Sequence, residues 1–143
     1  AGDGCDNCPA VANMSQGDAD QDLHGDACDC APSDPSAFLV PAEVTGPVFA
    51  SNKTTLTWSS AAGGAGPGTV HDALRGATAE LSLGTRPSDL CLASGTPETS
   101  TADAPAPAPG PGYFYLVRGR NACGPGTYGA ASSGTPRTAT ACP

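Results

Sequence analysis

The sequence predicts an all-β protein in two unequal parts. Residues 1–34 form an irregular segment held by metal and disulfides, residues 35–41 a linker, and residues 42–143 an antiparallel β-sandwich. Three observations predict this. The first segment carries aspartates at alternate positions and almost no large apolar residues. Short strand-like runs separated by Gly/Pro/Ser loops fill the remainder. No amphipathic helical period flanks the acidic segment on either side.

The acidic segment reads Asp18-Ala19-Asp20-Gln21-Asp22-Leu23-His24-Gly25-Asp26-Ala27-Cys28-Asp29. With Asp18 as position 1, Asp20, Asp22 and Asp26 fall at positions 3, 5 and 9, and Asp29 at 12. That is the ligand spacing of a twelve-residue calcium loop, with His24 placed to offer its backbone carbonyl at position 7. Oxygen-only ligands select Ca²⁺ over zinc or copper, which prefer nitrogen and sulfur. Two positions depart from the usual loop: Leu23 replaces the glycine at position 6, and Asp29 replaces a longer glutamate. Carboxylates this close repel one another without a counter-ion, so a bound cation is the simplest remedy.

Charge sharpens the reading. Asp3, Asp6, Asp18, Asp20, Asp22, Asp26, Asp29 and Asp34 lie in residues 1–34 with no Lys or Arg, which accounts for the whole net charge of −8. The six acids and six bases beyond residue 34 cancel. An acidic chain without a basic patch makes nucleic acid an unexpected partner, and no apolar run reaches membrane-spanning length, so no membrane insertion is expected. Val11, Met14 and Leu23 are the only large apolar residues of the first segment, too few to fold it by burial. No signal peptide is visible at residue 1, and Ala1 falls in mid-repeat, which reads as a mature, processed or excerpted chain.

Seven cysteines point to an oxidising, extracellular or cell-surface setting. Zinc competes for Cys5-x-x-Cys8 and Cys28-x-Cys30, but aspartates surround both and no His stands at ligand spacing. A repeat accounts for them better. Gly2-Asp3-Gly4-Cys5-Asp6-Asn7-Cys8-Pro9 matches Gly25-Asp26-Ala27-Cys28-Asp29-Cys30-Ala31-Pro32. With Asn13, Gln16 and the alternating Asp18, Asp20 and Asp22, residues 2–30 resemble the thrombospondin type 3 repeat. The resemblance implies calcium ions wrapped by irregular chain, a ligand set extended to Asp3, Asp6, Asn7 and Asn13, and a bridge Cys8–Cys28. In that register Cys5 closes a preceding repeat and Cys30 opens a following one. Three partners are open to them: each other, the second domain, or another molecule.

Pro32, Pro35 and Pro41 bracket Phe38-Leu39-Val40, a short apolar anchor for the linker. Strand-like runs follow at 44–50, 54–60, 69–75, 79–83, 98–102, 113–121 and 127–133, with weaker extended character near 136–141. Residues 113–117 are apolar or aromatic at every position, as in a central strand with few exposed positions until Arg118.

Leu56-Thr57-Trp58 resembles the second strand of a fibronectin type III domain with its core tryptophan. Tyr113-x-Tyr115-x-Val117-x-Gly119-x-Asn121-x-x-Gly124 resembles the sixth strand. The similarity covers about residues 42–135, and His71 stands where the family carries a tyrosine. In secreted bacterial proteins the same calcium repeat precedes such a sandwich, and segments like Tyr115–Gly124 and Ala141-Cys142-Pro143 recur. Sandwich topology places Cys91, before the fifth strand, and Cys123, after the sixth, at one end and favours a Cys91–Cys123 bridge. Cys5, Cys30 and Cys142 then form an odd trio, with at least one thiol unpaired within the chain or bonded to a neighbour.

Residues 104–109 alternate Ala and Pro and read as a stiff, solvated polyproline connection. Asn13-Met14-Ser15 and Asn52-Lys53-Thr54 fit the N-glycosylation pattern, which arises often by chance. His24 and His71 are the only histidines, and no phosphate loop, Gly-x-Ser-x-Gly or nucleophile–base pair is present, so no enzymatic activity is expected. The sequence supports two readings. One is an extracellular structural protein that self-assembles head to tail into a fibre or surface layer, with Asp3 and Asp6 of one chain completing a calcium site on the next. The other is a calcium-rigidified spacer or adhesion module of a larger secreted protein, whose partners are other extracellular proteins.

Overall fold

A computed structural model describes residues 6–81, 86–107 and 110–142. Among them are seven strands: β1 (Val48–Phe49), β2 (Thr55–Thr57), β3 (Val70–Ala77), β4 (Leu90–Thr96), β5 (Ser100–Ala102), β6 (Tyr113–Asn121) and β7 (Gly124–Pro125). They form two antiparallel sheets, ordered β1-β2-β5 and β4-β3-β6-β7, packed as a sandwich. The regular structure is all-β, preceded by irregular chain.

Alternation along the strands builds two apolar layers. Ala73 of β3 and Val117 of β6 face the smaller sheet and pack with Val44, Leu56 and Trp58. Burying a residue such as Leu56 contributes about 1.5–3 kcal/mol. Leu74 of β3 faces the other way, with Phe114 and Leu116 of β6. That outer face is covered by the C-terminal stretch through Tyr128, Ala139 and Cys142. β6 is therefore packed on both faces, as its unbroken apolar run predicts.

Three strand expectations need correction. Of the run expected at 79–83, residues 79–80 belong to a single 3-10 turn, Thr78–Glu80, and 82–83 lie outside the described residues. Residues 127–133 are irregular, with one isolated bridge, Ala130 to Pro136; the pairing with β6 ends where Gly126 N–H donates to Gly119 O at 2.8 Å. β4 matches none of the expected runs, and it carries an irregular step at Ser94-Gly95. Gly95 at φ +62° and the register shift against β3 absorb that irregularity as a bulge, which leaves the strand intact.

Three bridges use six of the seven cysteines. Cys8 bonds Cys28, the pair that the repeat resemblance implies. The favoured Cys91–Cys123 pairing is overturned: Cys91 bonds Cys142 and Cys123 bonds Cys30. The C-terminal stretch crosses the outer face of the larger sheet and brings Cys142 against β4. The turn after β6, meanwhile, meets the acidic segment. Cys30 and Cys142 of the expected odd trio are thus paired within the chain, and Cys5 lies outside the described residues. The Cys30–Cys123 bridge spans 93 residues, a closure worth on the order of 4–5 kcal/mol in the chain-entropy account.

The stretch that reads as a linker is fastened to the sandwich. Phe38 N–H donates to Ala65 O at 3.0 Å and Gly68 N–H to Ser36 O at 2.8 Å. The Asn121 amide donates to both Leu39 O and Ala65 O. Ala37 is fully buried.

Candidate metal centre

The alternating aspartates build the centre through local turns. Asp20 Oδ1 accepts from Asp22 N–H and Asp22 Oδ1 from His24 N–H, at 3.3 and 2.8 Å. Asp18 accepts from Gln21 N–H and Leu23 N–H. Aspartates favour such bonds to nearby backbone amides. In Asp20 and Asp22 one carboxylate oxygen is thereby pinned and the other left over. The leftover Asp20 Oδ2 and Asp22 Oδ2 are buried without any donor.

Asp18, Asp20 and Asp22 bring carboxylate oxygens within 4.8 Å of one another, a cluster able to hold a metal ion. Asp29 repeats the arrangement. Its Oδ1 accepts from Ala31 N–H at 2.7 Å, its Oδ2 is buried without a donor, and the residue is only 8 % exposed. Burial raises the Asp20 carboxyl above its ordinary value, and Asp22, Asp29 and Asp18 add repulsion to that effect. Buried, donorless carboxylate oxygens are costly unless a cation compensates them.

The loop backbone shows why its unusual residues matter. Leu23 has φ +79°, the left-handed region where glycine is at ease, and its side chain projects into solvent. Gly25 is packed against the first bridge, where a Cβ would come within 2.7 Å of Cys8 Sγ. His24 Nδ1 lies 3.4 Å from Asp22 Oδ1 without a hydrogen-bond partner, and its ring stacks on Phe38.

The other sequence candidates sit apart from the cluster. Asp26 accepts from Ala19 N–H at 2.9 Å and is exposed. Asp6 accepts from Cys8 N–H and the Gln16 amide, bonds that hold its carboxyl below the ordinary value. Asn7 donates its amide to Gln16 O and Gly17 O, and its Oδ1 lies 2.6 Å from the Asn13 amide. Asp6, Asn7, Asn13 and Gln16 therefore form one hydrogen-bonded knot that positions the loop. Asp3 lies outside the described residues. Asp29 also approaches the sulfurs of Cys30 and Cys123, but those two are bonded to each other and have no thiolate to offer.

A second polar cluster, on the outer face of the larger sheet beneath the C-terminal stretch, escaped the sequence reading. Asp72 is fully buried and accepts from Arg118 Nε, Arg120 Nε and Gly95 N–H at 3.0, 3.1 and 2.8 Å. Arg118 also donates to Cys142 O and lies over the Tyr128 ring. The cluster knits β3, β4, β6 and the C-terminal stretch together. The available signal was an acid on β3 and two bases on β6, which register brings side by side. Asp103, near the end of β5, likewise takes Arg75 at 2.7 Å and the Tyr115 hydroxyl at 2.8 Å.

Compared with known protein families, characterised protein sequences and solved structures, the chain matches none of them. The fold and the site define a disulfide-rich small β protein with two antiparallel sheets and a buried acidic cluster. Its three disulfides fit an oxidising, extracellular environment, and no helix among the described residues is long and apolar enough to cross a membrane.

Proposed function

We propose that this chain is an extracellular calcium-binding structural protein, built from a thrombospondin type 3-like segment and a fibronectin type III-like sandwich. The observation that carries the reading is the set of buried, donorless oxygens of Asp20, Asp22 and Asp29 beside Asp18. Multiple carboxylate oxygens with flexible spacing suit Ca²⁺, which takes six to eight oxygen ligands, better than the softer metals. Asp18, Asp20, Asp22 and Asp29 are the first-choice ligands, with the His24 carbonyl and Asp26 completing the shell as the loop tightens. For the sandwich, Trp58 lies in the core directly after β2, and Tyr113–Asn121 is the sixth strand. The reading assigns the chain no catalytic role.

Head-to-tail assembly remains the proposed use of the half-repeat at Asp3 and Asp6. One observation favours the other reading, a rigid spacer or adhesion module: Cys30 and Cys142 are paired within the chain and need no neighbour. Calorimetric titration with Ca²⁺, followed by electron microscopy in calcium and in EGTA, tests both levels. Heat of binding that disappears in Asp22→Asn supports the calcium reading, and no binding by the unaltered chain sinks it. Filaments that loosen in EGTA support assembly; single particles in both conditions leave the spacer.

A further inference from the structure

The three bridges differ in their surroundings. Cys8 is 1 % exposed and Cys142 2 %, so opening either of their bridges releases a sulfur into a sealed interior. Cys30 is exposed, and its partner Cys123, in the turn between β6 and β7, is half-buried. In thiol–disulfide exchange a thiolate attacks one sulfur and expels the other as thiolate, so the rate depends on access and on the leaving sulfur. An apolar interior disfavours a thiolate. Only Cys30–Cys123 has neither partner sealed.

Its position gives that difference a consequence. Cys8–Cys28 lies within the acidic segment and Cys91–Cys142 within the sandwich. Cys30–Cys123 alone among the three joins one to the other. Beyond it, the segment is held at this junction by the Cys30 N–H bond to Phe38 O, 3.4 Å long, and by the His24–Phe38 stack.

We propose that Cys30–Cys123 is a redox-labile clamp, opened before the other bridges by a dithiol reductant, and that its opening lets the acidic segment pivot about residues 31–35. A thiolate of the dithiol attacks Sγ of Cys30 or Cys123. The protein S–S bond breaks, a mixed disulfide forms, and the expelled cysteine thiolate takes a proton. The reductant's second thiol gives up its proton and attacks the mixed disulfide, releasing the second cysteine thiol. The reductant leaves as its cyclic disulfide, having passed two electrons to the protein. Both halves keep their own bridges.

The test uses the full chain. Thiols present beforehand are blocked with iodoacetamide, dilute dithiothreitol is added, and released thiols are trapped over time with N-ethylmaleimide for peptide mass spectrometry. A cation held by Asp29 alters the charge beside the clamp, so the time course is run in calcium and in EGTA. Cys30 and Cys123 are expected to gain label at least about tenfold faster than Cys8, Cys28, Cys91 and Cys142 in both conditions. Equal or slower labelling overturns the proposal. Small-angle scattering of the double variant Cys30→Ser, Cys123→Ser should show a larger radius of gyration than the unaltered chain; an unchanged radius overturns the pivot.

Discussion

The His24 imidazole stacks flat on the Phe38 ring, with centroids 3.6 Å apart and planes 9° from parallel. His24 belongs to the acidic loop and Phe38 to the stretch bonded to Ala65 in the sandwich, so one ring contact links the candidate metal centre to the β-structure. Such a pair is worth about 0.5–1.5 kcal/mol beyond its burial. Phe38→Ala should therefore weaken calcium binding by about fivefold, since the stack holds the residue whose carbonyl is a proposed ligand. Phe38→Tyr should restore most of it. Equal calorimetric affinities for Phe38→Ala and the unaltered chain would show that the stack plays no part in shaping the loop.

Leu23 offers the opposite kind of change. A non-glycine residue at φ +79° carries a cost of about 1–2 kcal/mol, and the exposed Leu23 side chain recovers little of it through packing. Glycine removes the strain but loses about 0.5–1 kcal/mol to greater freedom in the unfolded chain. The net expectation for Leu23→Gly is a small gain, about 0.5–1 kcal/mol, seen as a higher calcium affinity or a raised denaturation midpoint. Leu23→Ala keeps a Cβ at the same φ and should gain nothing. If Ala and Gly behave alike, backbone strain is not what distinguishes this position.

The sequence displayed the parts of the site whose logic is local. Asp18, Asp20 and Asp22 cluster because each short side chain turns back onto a nearby amide, and alternate spacing is all that this requires. Leu56, Trp58 and the long β6 were legible for a similar reason: alternation and continuous apolar runs report burial directly. What stayed hidden depends on contacts far apart in the chain. Nothing near Cys30 indicates Cys123, since the pairing follows from the acidic segment lying against the β6–β7 turn. Asp72 and Arg118 are 46 residues apart, and only the β3–β6 register joins them. β4 was hidden because its glycine serves a bulge, which locally looks like a turn.

Asp72 carries the largest expected stability effect. It is buried, and it holds two guanidinium groups and the Gly95 amide of the β4 bulge. Removing one partner from such a buried ionic cluster costs about 3–5 kcal/mol, mainly because the remaining charges lose their compensation. Asp72→Asn is expected to cost most of that, since its NH₂ cannot accept the arginine bond of the oxygen it replaces and both guanidinium groups lose the compensating charge. Urea denaturation in EGTA separates this effect from calcium binding. A loss below about 1 kcal/mol would place Asp72 with the weak surface pairs, contrary to its burial.

His71 makes stability depend on pH in a defined direction. Its ring is sealed inside the sandwich. Nε2 accepts the Ala61 N–H at 3.3 Å, and Nδ1 has no hydrogen-bond partner. Burial pushes its pKa below the ordinary histidine value, while the Thr96 backbone and the Asp72 carboxylate pull more weakly the other way. The unfolded chain therefore binds a proton that the folded chain resists. Stability rises with pH wherever the unfolded state holds more protons, so the His71 contribution is complete above about pH 6.5. It is lost as the pH falls from there toward the folded value. Urea midpoints measured in EGTA between pH 7.5 and 5.5 should fall with acidification. The unaltered chain should fall more steeply than His71→Gln, which keeps an acceptor but cannot titrate. Every other group is common to both proteins and drops out of the comparison, so parallel curves would mean that the buried imidazole takes up its proton as readily in the folded chain as in the unfolded one.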